Sequence, residues 1–269
     1  AYTSAIRYDL SQRVVGTIKP DPDGSGPLAF LATRNTYDAL GHVTMAESGW
    51  LSSWQSETVA PANWTGFTID RYVVFSYDAK GRKIRDTLKS GTSTYAITQY
   101  SYDVLDRVVC TAVRMNLSNP PADACTLGTI GSNGPDRITK NIYDDNTQRL
   151  VQINRGVGTS LAQAYATYSY TASGKQEYVI DASGERSKFE YDDFDRLARW
   201  YFPNVLFPPT FDSSTPTQAL NTAGAFNTAD YEEYTSDGNG NRVTLRKRDG
   251  STFLLAYDNL NRLQSKKVT

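Results

Sequence analysis

The chain has 269 residues, with 28 Lys and Arg against 29 Asp and Glu and a net charge near −1. That balance offers no basic footprint for nucleic acid. No stretch approaches the roughly 18 apolar residues of a membrane-spanning helix, and no charged-then-apolar signal peptide opens the sequence. Eighteen Tyr against two Met, without a long amphipathic run, point to an all-β fold.

Along the chain a turn phrase recurs ten times, most often opening with Tyr-Asp and ending on a basic residue. The sequence begins in a strand pattern, Tyr2 to Ile6, and reaches the first copy, Tyr8-Asp9…Arg13, then a small loop, 20–27. Tyr37-Asp38…His42 follows, then an insertion near 46–68. Tyr77-Asp78…Arg82 and Tyr102-Asp103…Arg107 lead to a second insertion near 115–137. Next come Tyr143-Asp144…Arg149, Tyr170-Thr171…Lys175, Ile180-Asp181…Arg186 and Tyr191-Asp192…Arg196. A third insertion near 202–229 precedes Tyr234-Thr235…Arg242 and Tyr257-Asp258…Arg262. Internal repetition of this kind fixes architecture before single residues are considered. It predicts one continuous array over 1–269, with those four segments as surface loops rich in Pro, Ser, Asn, Thr and Ala. The chain starts inside a strand pattern and stops just after a turn, so both ends are expected to be cuts within a longer array. The unpaired end strands are expected to make an isolated ribbon associate.

Each phrase reads as a hairpin turn. Asp at the first position accepts backbone N–H bonds, and the fourth slot of a type I turn with a G1 bulge needs φ > 0. That slot holds Gly41, Gly81, Asp106, Gly174, Gly184, Asp195 and Asn261, types that tolerate φ > 0. Gln12 is the exception, and the copies at Tyr143 and Tyr234 carry inserted residues. The flanks are aromatic and β-branched: Phe75, Tyr100 and Phe189 stand two before the Tyr, and Val43, Ile84 and Val108 follow the turn. Period-2 alternation puts the earlier aromatic and the Tyr on one face, expected to be buried by neighbouring hairpins. The closing base is expected to pair with turn carboxylates or with acceptors in the next repeat. The turn residues expected to carry the architecture are Tyr37, Asp38, Gly41, Tyr77, Asp78, Gly81, Arg82, Tyr102, Asp103, Arg107, Tyr191, Asp192, Arg196, Tyr257, Asp258 and Arg262.

Catalytic and metal chemistry is not expected. The one histidine, His42, fills a slot that is basic in the other copies, and no Gly-x-Ser-x-Gly elbow is present. Clustered Cys and His for zinc are missing. Asp237-Gly238-Asn239-Gly240-Asn241 imitates half of an EF-hand loop, but Arg242 and Arg248 stand where that loop needs Gly and Glu. No cofactor is expected. Cys110 and Cys125 either close a disulfide loop across the start of the second insertion or stay two unrelated thiols. Trp50, Trp54 and Trp64, all assigned to the first insertion, are candidate ligand-binding aromatics; the other reading is that they plug the loop onto the hairpin face. The clusters Arg246-Lys247-Arg248 and Lys266-Lys267 read as solvated strand edges.

The phrase Tyr77-Asp78-Ala79-Lys80-Gly81-Arg82, with its variants Tyr102 to Arg107 and Tyr257 to Arg262, resembles the YD repeats of the RHS (rearrangement hot spot) family over essentially the whole chain. The resemblance implies a ribbon of hairpins forming a curved, spiralling sheet, a segment of a hollow shell. In bacterial members such shells typically enclose a C-terminal toxin and are secreted or surface-exposed; related repeats occur in insecticidal toxin complexes and in teneurins. The implied role is a non-catalytic scaffold whose partners are the rest of the shell and an enclosed toxin or cargo. The alternative role is a glycan- or protein-binding module using the loop aromatics. The family's Asp-Pro-x-Gly-Leu protease motif is not matched by Asp21-Pro22-Asp23-Gly24, which Ser25 follows and which reads as a turn.

Overall fold

The computed structural model describes residues 3–24, 26–204 and 208–269. Tyr2 of the opening strand pattern, Ser25 of the first loop, and Val205, Leu206 and Phe207 of the last one lie outside the described residues. Among those described, the chain is nearly all antiparallel β, eighteen strands with one short α-helix. It divides into two compact units, Ala1–Thr139 with Val157–Thr159, and Lys140–Gly156 with Ser160–Thr269.

In the first unit β1 (Ala5–Tyr8), β2 (Val14–Ile18), β3 (Phe30–Tyr37), β4 (Val43–Leu51), β5 (Phe67–Tyr77), β6 (Lys83–Ser90), β7 (Ser93–Tyr102) and β8 (Val108–Arg114) pair in chain order. β9 (Arg137–Tyr143) carries the chain onward. In the second unit the order continues through β10 (Leu150–Arg155), β11 (Gln163–Tyr170), β12 (Gln176–Asp181), β13 (Arg186–Tyr191), β14 (Leu197–Pro203), β15 (Phe226–Ser236), β16 (Arg242–Arg246), β17 (Thr252–Tyr257) and β18 (Leu263–Val268). Consecutive antiparallel pairing sorts the connections. In the first unit the Asp-led turns after β1, β3, β5 and β7 share one edge, and the loops after β2, β4 and β8 share the other. In the second unit the Asp192, Asp237 and Asp258 turns lie at one edge and the 204–225 loop at the opposite one.

Most Asp-led turns share one construction; the Asp144 turn is one residue longer, with Asp144 N–H donating to the Arg149 carbonyl and Gln148 at φ 63. Tyr37 faces Val43, Tyr77 faces Lys83, Tyr102 faces Val108, and a register shift falls just before each Tyr. That shift is the G1 bulge the turn chemistry calls for. The fourth slot takes positive φ throughout, at Gly41, Gly81, Asp106, Gly174, Gly184, Asp195 and Asn261. Gln12, which lacks the side chain for it, nevertheless sits at φ 61: the hairpin around it imposes the conformation. A left-handed L-residue costs roughly 1–2 kcal/mol. Gln12→Gly, offset in part by Gly's unfolded-state entropy, is therefore expected to stabilise by about 0.5–1 kcal/mol. A rise in the denaturant midpoint at unchanged slope would show it.

Two copies of the phrase are placed differently from the sequence reading. The Tyr234 copy has no insertion: Asp237 N–H donates to the Asn241 carbonyl at 2.9 Å, and Ser236 faces Arg242. Ser236 thus fills the Tyr slot, Gly240 the positive-φ slot, and Tyr234 the aromatic position two before. The Ile180-Asp181 copy turns at the opposite edge from its neighbours, between β12 and β13, and Glu185 rather than Arg186 closes it. A turn of the same build, Lys247 to Ser251, joins β16 and β17.

The insertions also shift. β4 runs to Leu51 and β5 starts at Phe67, so the first loop is 52–66, narrower than 46–68. The 202–229 segment contains α1 (Pro216–Thr222), started by Thr215, whose hydroxyl accepts the Gln218 N–H at 3.1 Å, with Pro216 in the first turn.

The core is not the Tyr face. The repeat tyrosines from Tyr37 onward are at most partly exposed and Tyr8 is exposed, while the fully buried side chains gather toward the loop edge. One cluster joins Ile18, Ala32 and Leu51 of the sheet to Trp64 of the 52–66 loop. Another joins Cys110, Ala112 and Ile138 to Ala124 of the second loop. The insertions act as a second layer, which a single sheet needs in order to bury one face.

Candidate functional site

The repeated Tyr, Asp and basic residues assemble into a seam between hairpins. In the turn at Asp78, Oδ1 accepts the N–H groups of Lys80 and Arg82, both at 2.9 Å, and Oδ2 accepts Arg82 Nε at 2.7 Å. Asp9, Asp103, Asp192 and Asp258 repeat the pattern with Arg13, Arg107, Arg196 and Arg262. The base then reaches the next hairpin. Arg13 lies 4.4 Å over the Tyr37 ring and Arg82 4.7 Å over Tyr102. His42 stacks on Tyr77 at 4.6 Å while its Nδ1 meets Asp38 at 2.9 Å, so it does an arginine's work in that slot. Arg82 also donates to the Asp103 carbonyl, and Arg196 to the Asp237 carbonyl.

The tyrosine hydroxyls complete the seam. Tyr37 donates to the Val14 carbonyl, Tyr77 to Val43 and Tyr102 to Lys83, at 2.7–2.8 Å. In the second unit Tyr170 donates to Leu150 and Tyr191 to Gln176. Each acceptor is the first residue of the return strand of the preceding hairpin. Sequence reasoning assigned the Tyr ring to packing and missed this bond; the recurrent phenol, where Phe would pack as well, was the available signal. Tyr77→Phe is expected to cost about 1 kcal/mol, the net worth of one such bond, read from urea denaturation.

The turn carboxyls are held below their ordinary range. At Asp9, Asp192 and Asp258 the leading cause is the backbone N–H of the closing Arg; at Asp78 it is the Arg82 guanidinium and at Asp38 the His42 ring. A carboxyl depressed in the folded state contributes stability that is complete above its unfolded value, about 3.9, and lost as pH falls through the lower folded value. The denaturant midpoint is therefore expected to be insensitive to these groups above about pH 5 and to fall steadily below about pH 4. An acid series of urea titrations tests the sign.

The loops are tied down by arginines rising from the sheet. Arg34 chelates both oxygens of Glu47 and donates to the Pro61 carbonyl. Arg186 donates to the Leu220 carbonyl of α1. Arg114, fully buried, pairs with Asp136 at 2.7 Å and also donates to the carbonyls of Thr126 and Asp123 and to Gln99. Asp136 in turn accepts the amides of Met115 and Gly128. Burial pushes the Asp136 carboxyl upward, but those amides and Arg114 outweigh it and leave it lowered. Cys110 and Cys125 are disulfide-bonded across the same loop, with Cα atoms 5.2 Å apart.

The three tryptophans are not brought together. Trp64 is buried in the first core cluster. Trp54 packs edge-on against Phe30 on the loop-covered face. Trp50 belongs to β4 rather than the loop; it faces Leu31, and both project from the opposite, exposed face. The Arg246 to Arg248 cluster is not simply solvated. Arg248 grips Asp230, Lys247 pairs with Glu232, and Arg246 donates to the Tyr231 carbonyl. Burial and the hydrogen bond to Glu232 push the neighbouring Tyr234 hydroxyl up to about 12. Asp237 spends its carboxylate on Asn239 and Asn241 of its own turn. Among the described residues no group of three His, Cys, Asp or Glu is placed to hold a metal ion.

No protein-family model matches the sequence, and no curated protein matches it. Among solved structures, the chain is similar to a TcdB2-TccC3-Cdc42 crystal structure at 17% identity and TM-score 0.47, over 97% of this chain and 15% of that one. A Photorhabdus luminescens Tc holotoxin pore gives 12% identity and TM-score 0.34, over 98% of this chain and 16% of that one. A porin-like protein from Bacteroides uniformis gives 10% and 0.29, over 100% and 96%. The chain thus spans about 15% of the length of the TcdB2-TccC3 chain it matches.

Proposed function

We propose that the chain is a segment of an RHS-type β-shell, non-catalytic in itself, which encloses or presents a toxin or other cargo. The observation that carries this reading is the seam. The acids, bases and phenols that recur most often are engaged in turn-internal and hairpin-to-hairpin bonds, so repetition here serves continuity of a wall. The match of the Tyr77 to Arg82 phrase to the YD repeat supports the family, and with it a secreted or cell-surface setting and partners in the remaining shell and its contents.

Protease protection tests the reading. In the parent protein, cargo beyond the array should resist digestion while the array is intact. It should become digestible when the seam is broken by Asp78→Ala with Tyr77→Phe and Tyr102→Phe. Equal digestion of the cargo in both proteins would overturn the shell.

A further inference from the structure

A cleft of about 660 Å³ lies between the 52–66 loop and the sheet of the first unit, within the size range of small-ligand sites. Its floor has an uneven charge. Arg7 faces Gly16, Gly16 faces Arg34, and Arg34 faces Glu47, so one row across four strands puts two guanidiniums and one carboxylate on the same face. Glu47 is fully engaged by Arg34. Asp9, also in the cleft, is engaged by Arg13 at 2.7 Å. Arg7 is left over. It is 8% exposed, donates one bond to the Gln55 carbonyl at 3.1 Å, and among the described residues its buried Nε has no partner. A buried cation without an anion is costly, because desolvation is not repaid by a pair. The one other carboxylate lining the cleft, Glu57, is exposed on the loop and makes no ion pair among the described residues.

We propose that this cleft is a carboxylate-binding site. Arg7 takes the carboxylate of a small ligand, whose apolar body rests against Met45, Val59 and Pro61, and Glu57 is the resident competitor at the rim. The chemistry follows from the walls: a guanidinium that has no carboxylate partner among the described residues matches a carboxylate, and the apolar lining favours an anion carried on an apolar body over a bare one. The site is independent of the shell reading, since it uses none of the seam bonds between hairpins.

Benzoate is a suitable probe and benzamide its uncharged counterpart, with binding followed by calorimetry on the 269-residue chain. Benzoate should bind and benzamide should bind at least tenfold more weakly. Glu57→Gln should tighten benzoate several-fold by removing the competitor. Arg7→Met should weaken it roughly tenfold to a hundredfold, the factor expected for one charge-assisted contact, at a retained thermal midpoint. Benzoate binding no better than benzamide in both the unaltered chain and Glu57→Gln overturns the proposal, a comparison that needs no Arg7 variant to fold. Benzoate binding unchanged in a folded Arg7→Met also overturns it.

Discussion

Asp136→Ala is expected to destabilise the protein by about 3–5 kcal/mol, the usual cost of removing one partner from a buried ion pair. The size follows from what is left behind. Arg114 would remain buried with its charge uncompensated, and the amides of Met115 and Gly128 would lose their acceptor. Arg114 holds two loop carbonyls as well as Asp136, so the 115–136 loop should loosen as a whole and become a preferred protease site. The disulfide limits this, because Cys125 stays tethered to β8 through Cys110. Urea denaturation combined with limited proteolysis reads both effects. A loss below about 1 kcal/mol would mean that the pair contributes no more than an exposed one.

Trp64→Ala should cost a similar amount, about 3–5 kcal/mol, by opening a cavity between the 52–66 loop and the sheet. The indole closes over Ile18, Ala32 and Leu51, and it reaches its seat only because residue 16 has no side chain. A Cβ at Gly16 would lie 2.7 Å from both Pro61 Cγ and Trp64 Cη2. Gly16→Val is accordingly expected to cost about 1–3 kcal/mol through overpacking. The two changes should be partly non-additive, since removing the indole relieves the clash with Trp64 while that with Pro61 remains. Additive losses in the double-mutant cycle would refute direct packing of the two positions.

How much of this was legible depends on how local each feature is. The hairpin turns were, because their chemistry is written within six residues: an Asp that accepts two amides and a slot with φ > 0. Gln12 broke the composition rule yet kept the conformation, since the flanking strands decide it. The Tyr234 copy misled for a local reason too. The Tyr slot there is Ser236, and the nearest Tyr belongs to the strand. Ile180-Asp181 carried the phrase, but which edge a turn occupies is set by counting strands, and the short β12–β13 connection reverses the parity. Features made of distant residues were not legible. Gly16 inside a strand pattern signals a close approach, but nothing local names Pro61 and Trp64 as what approaches. Arg114 and Asp136 are joined only by the path of their loop. The tryptophans looked like one group because they are close in sequence; period-2 alternation along β4 and the turn into the loop send them to different faces. The start of α1 at Thr215-Pro216 was readable as a cap followed by a first-turn proline, although the surrounding loop composition obscured it.

The hydroxyl bonds of the seam have a direction. In every case described, the acceptor carbonyl precedes its donor tyrosine in the chain: Val14 before Tyr37, Val43 before Tyr77, Lys83 before Tyr102, Leu150 before Tyr170, Gln176 before Tyr191. A chain emerging from its N-terminus therefore always presents the receiving hairpin before the one that docks on it. A hairpin does not wait for a later one to complete that contact, and a new hairpin docks on the free edge of a template already formed. Assembly can follow the order of synthesis or of threading through a narrow passage, one hairpin at a time.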